Sequence, residues 1–276
     1  MKHTAQNRFK ALTSACVLSL IATSGWSQTL TWLGTLGGGE SMAYGVSPDG
    51  SVVVGFARNA GGQLRAFRWT QQSGTMQDLG TLGGSESTAW GVSADGSVVV
   101  GQSANTAGQL RAFRWTQQSG TMQDLGTLGG ESRAQSVSAD GSVVVGWSAN
   151  TAGQQRAFRW TQAGSMEDLN ITYASLLTNG SRLGSAFAIS PNGRYIVGRG
   201  FNAATGRNEA FLLDTGCTAH SGDVDLNGCI DDSDLLAVLY AFGNTGSNLG
   251  RVDVNCDGTV DDADLLEVLF NFGSGC

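Results

Sequence analysis

Histidine and proline are nearly missing from this 276-residue chain, with two of each. One histidine is His3, and beyond the first 27 residues the other is His220. Neither a Ser-His-Asp arrangement nor a zinc site built on histidines can therefore be assembled in the long middle of the chain. Only 14% of residues are charged, and no Lys/Arg stripe is present, which excludes nucleic acid as the expected partner. The most apolar stretch, residues 11–22, is about a dozen residues long and interrupted by Thr and Ser, short of the roughly twenty needed to span a bilayer. Cysteine is absent between Cys16 and Cys217. What is abundant is glycine, 41 residues, without the period or the proline of collagen, so the composition calls for many tight turns between short strands.

Lys2, Arg8 and Lys10 precede the apolar stretch, and the small residues Ser24, Gly25 and Ser27 follow it. This is the three-part form of a secretory signal peptide, with cleavage expected near residues 24–27 and no membrane span afterwards. Three segments result: a signal peptide over 1–27, a repeat domain over 28–216 and a small module over 217–276.

Residues 32–214 copy themselves. Leu-Gly-Thr-Leu-Gly-Gly begins at Leu33, Leu79 and Leu125, Ser-x-Asp/Asn-Gly begins at Ser47, Ser93, Ser138 and Ser190, and Ala-Phe recurs at Phe67, Phe113, Phe158 and Phe211. Each copy divides into four short strands, in the first copy residues 43–47, Val52-Val53-Val54, residues 64–70 and residues 75–79, with Asp49-Gly50 as the hairpin turn. Four strands in about 46 residues match a β-propeller blade. Fourth strands occur at residues 30–33, 75–79, 121–125 and 165–169, yet none follows Phe211-Leu212-Leu213. Residues 30–33 are therefore expected to complete the last blade and close a four-bladed ring; the alternative is an open β-solenoid.

The acidity is confined to the last sixty residues. They hold eleven acids and one arginine, a charge of −10 against −7 for the whole chain. Twelve-residue loops account for it. Asp223, Asp225, Asn227 and Asp234 stand at positions 1, 3, 5 and 12 of the first, with Cys229 at 7; Asp253, Asn255, Asp257 and Asp264 repeat them thirty residues on, with Thr259 at 7. Side-chain oxygens at 1, 3, 5 and 12, a backbone carbonyl at 7 and Gly228 or Gly258 at 6 are what Ca²⁺ requires for six to eight ligands, so two ions are expected. Helices should follow over residues 235–242 and 265–272, more apolar than one narrow stripe needs. The four cysteines Cys217, Cys229, Cys256 and Cys276 imply two disulfides in an exported module, expected as Cys217–Cys276 and Cys229–Cys256.

The repeat region, through Ala-x-Gly-Val-Ser-x-Asp-Gly-Ser-x-Val-Val-Gly, Ala-Phe-x-Trp and Leu-Gly-x-Leu-Gly-Gly, resembles the HAF-type extracellular repeats of bacteria; its Ser-Pro-Asp-Gly turn at residues 47–50 is similar to TolB-like propellers. The C-terminal loops resemble a dockerin, in the cysteine-containing variant that ends in Gly-Cys. That resemblance implies a cohesin-like or cell-surface protein partner, with contacts at Asp232, Ser233 and Leu236 and again at Asp262, Ala263 and Leu266. Cellulosomal dockerins often carry Ser-Thr where this chain has Asp232-Ser233 and Asp262-Ala263. For the repeat domain, a carbohydrate or protein ligand stays open.

Trp69, Trp115 and Trp160 repeat at one blade position, which favours core packing over sugar stacking, and Arg68, Arg114 and Arg159 repeat beside them. Glu40, Glu86 and Glu131, like Asp49, Asp95 and Asp140, recur as equivalents and read as structural; only Glu167, Asp168 and Glu209 stand outside the pattern. A glycosidase needs two carboxylates in different environments. The expectation is a secreted, non-catalytic repeat protein anchored through a calcium-dependent dockerin-like module. The alternatives are a secreted carbohydrate-active hydrolase carrying a dockerin, and a calcium-stabilised surface protein without a cohesin partner.

Overall fold

The computed structural model describes residues 28–216, 220–245, 249–256 and 259–276. The signal peptide expected over 1–27, Cys217, Asp257 and Gly258 lie outside them. No helix among the described residues is long and apolar enough to cross a membrane.

The chain is all-β apart from a few short helices and builds four antiparallel sheets in sequence order. The first is β1 (Gly37–Val46), β2 (Val52–Asn59), β3 (Leu64–Thr70) and β4 (Met76–Asp78), hydrogen-bonded in that order. The second repeats it with β5 (Gly83–Val92), β6 (Val98–Asn105), β7 (Leu110–Thr116) and β8 (Met122–Asp124), and the third with β9 (Gly129–Val137), β10 (Val143–Asn150), β11 (Gln155–Thr161) and β12 (Ser165–Asp168). A short α1 (Leu169–Thr172) then leads to the fourth, which has only β13 (Arg182–Ile189), β14 (Tyr195–Asn202) and β15 (Arg207–Asp214).

Each first-to-second strand turn is locked by its own Ser-x-Asp-Gly. In the first sheet the Ser47 hydroxyl donates to Asp49 (2.6 Å), Asp49 accepts from the Ser51 amide (3.0 Å), and the Val52 amide donates back to Ser47 (3.0 Å). These donors hold the Asp49 carboxyl well below its ordinary range, at about 2. The same bonds recur at Ser93, Ser138 and, with Asn192 in place of Asp, Ser190.

Consecutive sheets pack face to face, with β1 against β5, β5 against β9 and β9 against β13. Val54, Ala66, Ala89, Val99, Phe113 and Trp115 fill the first interface; Val100, Ala112, Ala134, Val144, Phe158 and Trp160 fill the second. Trp69, Trp115 and Trp160 are buried, so the tryptophan repeat is core. The arginine repeat staples sheet to sheet: Arg68 and Arg114 donate Nε to the carbonyls of Gly96 and Gly141 (2.8 and 3.2 Å) and lie over Trp115 and Trp160.

Two expectations are corrected. First strands begin about six residues earlier than expected, at Gly37 instead of residue 43, because Leu-Gly-Gly joins the ladder: Gly37 pairs with Asn59, and a Cβ on Gly38 would lie 2.6 Å from the Arg58 carbonyl. The ring closure is not formed either. Residues 30–33 make no strand, β15 has no fourth partner, and among the described residues the first and fourth sheets share no packed interface. The burial shows the consequence. Val54, Val100 and Val145 are fully buried under the next sheet, whereas the equivalent Val197 is 41% exposed with no fifth sheet to cover it.

The glycine ending each Val-Val-Val run is required by close approach. A Cβ on Gly101 would lie 2.1 Å from the Thr88 carbonyl and 2.8 Å from the Phe113 ring. Gly101→Ala must push β5 away from β6 and is expected to cost about 3 kcal/mol. A melt of the full chain within about 0.5 kcal/mol of wild type would refute this close-packing account.

Candidate metal centre

The C-terminal module has α2 (Asp232–Ala241) and α3 (Asp262–Phe270), each starting three residues before the expected start. The reason is a capping box at each. Asp231 accepts from the Ser233 amide while Asp234 accepts from the Asp231 amide, and Asp261 and Asp264 repeat this thirty residues on. Beneath the helices lies a small core of Ile230, Val238, Val254, Val260 and Val268. Each helix tail pairs with the other loop: Gly273 and Ser274 bond to Ile230, and Gly243 and Asn244 bond to Val260. The module is thus a pseudo-twofold clasp of two loop-helix units.

The clasp decides the disulfide. It brings the tail onto the first loop, and Cys229 is bonded to Cys276 with Cα atoms 4.6 Å apart. Both expected pairs, Cys217–Cys276 and Cys229–Cys256, are overturned, because each uses one of the joined cysteines. Cys256 is itself disulfide-bonded. With its sulfur committed, Cys229 can offer a cation only its backbone carbonyl.

In the first loop Asp223, Asp225 and Asp234 each place a carboxylate oxygen within 4.8 Å of the others. Asp234 is fully buried, and its two oxygens accept from the amides of Val224 (2.6 Å), Asp225 (3.1 Å) and Asp231 (3.0 Å). Asp225 accepts from the Asn227 amide (3.0 Å) and Asn227 from the Cys229 amide (2.7 Å), which folds the loop inward. Leu226 adopts φ 63° and Gly228 φ 88° to close the turn. Asp223 Oδ1 is buried without a hydrogen-bond partner. Burial, and then the charge of Asp234, raise the Asp223 pKa. A hard cation with oxygen preference satisfies that orphan atom and relieves the repulsion, so the donor set fits such an ion.

The second loop is parallel as far as it is described. Asp264 is fully buried and accepts from the amides of Asn255 (3.0 Å) and Asp261 (2.9 Å), Asp253 is buried, and Thr259 bridges to Thr245. Asp257 lies outside the described residues.

The expected partner residues lie on the exposed face of each helix. Asp232, Ser233, Asp262 and Ala263 lie exposed on the first helical turns, and Leu236 and Leu266 are about half exposed. Leu239 and Tyr240 on the first helix, and Leu269 and Phe270 on the second, are exposed as well, Tyr240 at 87% and Phe270 at 82%.

Two residues at the base of the module carried no sequence signal. Arg251 donates from Nε and Nη2 to the Asp223 carbonyl (3.1 and 2.5 Å), and His220 joins it beside Asp140 and Asn192 of the repeat domain. His220 Nδ1 accepts from the Gly222 amide (3.1 Å), which leaves Nε2–H to donate to the Arg251 carbonyl (2.8 Å). Burial, followed by the Arg251 guanidinium, holds its pKa down to about 4. Protonation would set an N–H against the Gly222 N–H. Between 6.5, the ordinary value, and 4 the unfolded chain binds a proton that the folded chain does not, so stability falls as pH drops through that window. Partial solvent access screens the effect, and about 1–2 kcal/mol is expected. Melts from pH 7 to pH 4 should show His220→Gln losing less stability than wild type; parallel curves would rule out the histidine.

The three irregular carboxylates are all engaged. Glu167 pairs with Arg159 and accepts from Thr172, Asp168 caps α1 through the Asn170 amide (2.9 Å), and Glu209 accepts from Asn202 and Thr205 (2.8 and 2.6 Å), which lowers its pKa.

No family model and no curated protein matches the chain. Among solved structures it is similar to a TolB-type protein from Agrobacterium tumefaciens (20% identity, 62% of this chain and 60% of that one, TM-score 0.46) and to TolB from Acinetobacter baumannii (16%, 64% and 41%, TM-score 0.47). It is also similar to the β-propeller domain of the Trilobed protease from Pyrococcus furiosus (12%, 63% and 54%, TM-score 0.39). The chain thus spans less than two thirds of each.

Proposed function

We propose that this is an exported, non-catalytic repeat protein of β-propeller type. Its C-terminal dockerin-like module binds two Ca²⁺ ions and assembles the chain with a cohesin-like or cell-surface protein. The observation that carries the reading is the convergence of Asp223, Asp225 and Asp234 on a space where Asp223 Oδ1 is buried and unpartnered. The duplication of the loop and the apolar, exposed helix sides support the assembly role. The engagement of Glu167, Asp168 and Glu209 in structural bonds supports a role without catalysis.

Calcium titrated calorimetrically into chelator-treated full-length protein should fill two sites. At a free concentration of about 100 Kd each site adds about 2.7 kcal/mol to stability, so EGTA should lower the Tm of the module sharply. An absence of binding heat with an unchanged melt would overturn the calcium reading. The assembly reading is tested separately, by incubating immobilised full-length protein with the native secretome in calcium or in EGTA. Specific capture that requires calcium and is lost in Leu236→Glu/Leu266→Glu supports it; capture indifferent to both counts against it.

A further inference from the structure

The first two strands of every sheet meet through one recurring cross-strand pair: Met42–Phe56, Thr88–Gln102, Arg133–Trp147 and Ser185–Arg199. The position is apolar in the first sheet, neutral in the second and cationic in the last two. Where the cationic pairs adjoin, a cavity of about 740 Å³ opens between the third and fourth sheets, lined by Arg133, Arg156, Arg182 and Arg199 with Trp147 and Phe201. Its lining contains no carboxylate. Among the described residues none of the four arginines forms an ion pair, whereas Arg58, Arg65, Arg159 and Arg194 all do.

Three of the guanidiniums are held in place by neutral groups. Arg133 donates to Gln102 and lies over the rings of Trp90 and Trp147 (5.3 and 5.7 Å), and Arg182 lies over Phe201 (5.2 Å). Arg156 donates Nη2 to Gln154 (2.9 Å), and its Nε is buried without a partner. Arg111 of the second sheet has the same orphan Nε, so the distinguishing feature here is the added charge of Arg133, Arg182 and Arg199. Four like charges around one cavity, with Glu131 acting on Arg133 but no acid in the lining, raise the local potential for an anion. Guanidinium forks match carboxylate and sulfate in two parallel hydrogen bonds. The amides of Gln135, Gln154, Gln155 and Asn208 at the same cavity suit hydroxyls, and Trp147 and Phe201 add flat apolar surface. Charge, amides and rings at one volume describe a small acidic sugar chain better than a bare ion.

We propose that this cavity binds an acidic oligosaccharide, carboxylated or sulfated, with Arg133, Arg156, Arg182 and Arg199 on the acid groups and Trp147 and Phe201 against the sugar rings. The site is independent of the calcium loops. Calorimetry on the full-length protein would compare trigalacturonate, a sulfated galactan trisaccharide, neutral galactotriose and inorganic sulfate, each with calcium and with EGTA. At least one acidic trisaccharide is expected to bind about tenfold or more tighter than galactotriose and than sulfate alone, in EGTA as in calcium. The uronate and sulfate arms tell which acid is preferred. Arg182→Gln and Arg199→Gln, both exposed residues outside the cores, should each weaken that binding about tenfold while leaving the Tm unchanged. Equal binding of the neutral sugar or of sulfate overturns the proposal. So does calcium-dependent binding, no binding of either acidic sugar, or unchanged affinity in both variants.

Discussion

Asp234→Ala is expected to unfold the first loop-helix unit and abolish cation uptake there. Three backbone amides, those of Val224, Asp225 and Asp231, donate to this one fully buried carboxylate. Hydrogen bonds to a charged group are each worth about 1.5–3 kcal/mol, and amides left buried without an acceptor add their own cost, so about 3–5 kcal/mol is at stake. The module has little to set against this, since its core is five aliphatic side chains and domains near sixty residues are marginal. Asp234→Asn should fall in between, because one amide oxygen can serve Val224 and Asp225 while the NH₂ then faces the Asp231 N–H. Full-length protein should melt with the module's transition lost or strongly lowered and that of the repeat domain unmoved. Calorimetry should find one calcium fewer. An unshifted module transition with two ions bound would remove Asp234 from both roles.

Replacing both Cys229 and Cys276 by serine should be nearly as severe. The bond closes a sequence separation of 47, for which chain entropy gives about 4 kcal/mol of stabilisation, model-dependent but large beside so small a core. The double replacement avoids leaving a free thiol to exchange with Cys256. The effect should fall first on the first loop, which the tail holds through Ile230, while the second loop keeps its own pairing of Val260 with Gly243 and Asn244. The expected readout is a lowered module melt, with the calcium affinity of one site reduced more than the other. Peptide mapping without reduction should recover Cys229 joined to Cys276. Recovery of Cys229 joined to Cys256 would contradict the clasp.

The sheets were legible because each copy carries its own instructions. Ser-x-Asp-Gly closes its turn with bonds internal to five residues, and Val-Val-Val-Gly followed by Ala-Phe-x-Trp alternates sides over a single hairpin. Leu-Gly-Gly lay outside the expected strands for an equally local reason. Glycine usually marks a turn, but Gly38 and Gly101 are glycine because another strand's backbone occupies the space of a Cβ, which only the paired partner reveals. The helices start earlier than their apolar runs because Asp231 at the cap with Asp234 three residues on forms a capping box, which the loop pattern alone does not reveal. The arginine cavity left a trace in the sequence, the substitutions at Arg133, Trp147 and Arg199 within otherwise repeated strands, but their convergence needs two sheets side by side.

By itself the sequence determined the number of sheets, most of their strands and the acidic loops, all set by contacts between residues near in the chain, and its repeat marked the tryptophans as core. Tertiary structure alone decided how far the sheets go round, which cysteines meet, and where Arg251 and His220 join the module to the repeats. These depend on the angle between packed faces and on the return of the C-terminal tail, which no local pattern encodes. The twin loops belong to both accounts: their spacing named the donor atoms, and the fold left Asp223 Oδ1 buried and unpartnered among them.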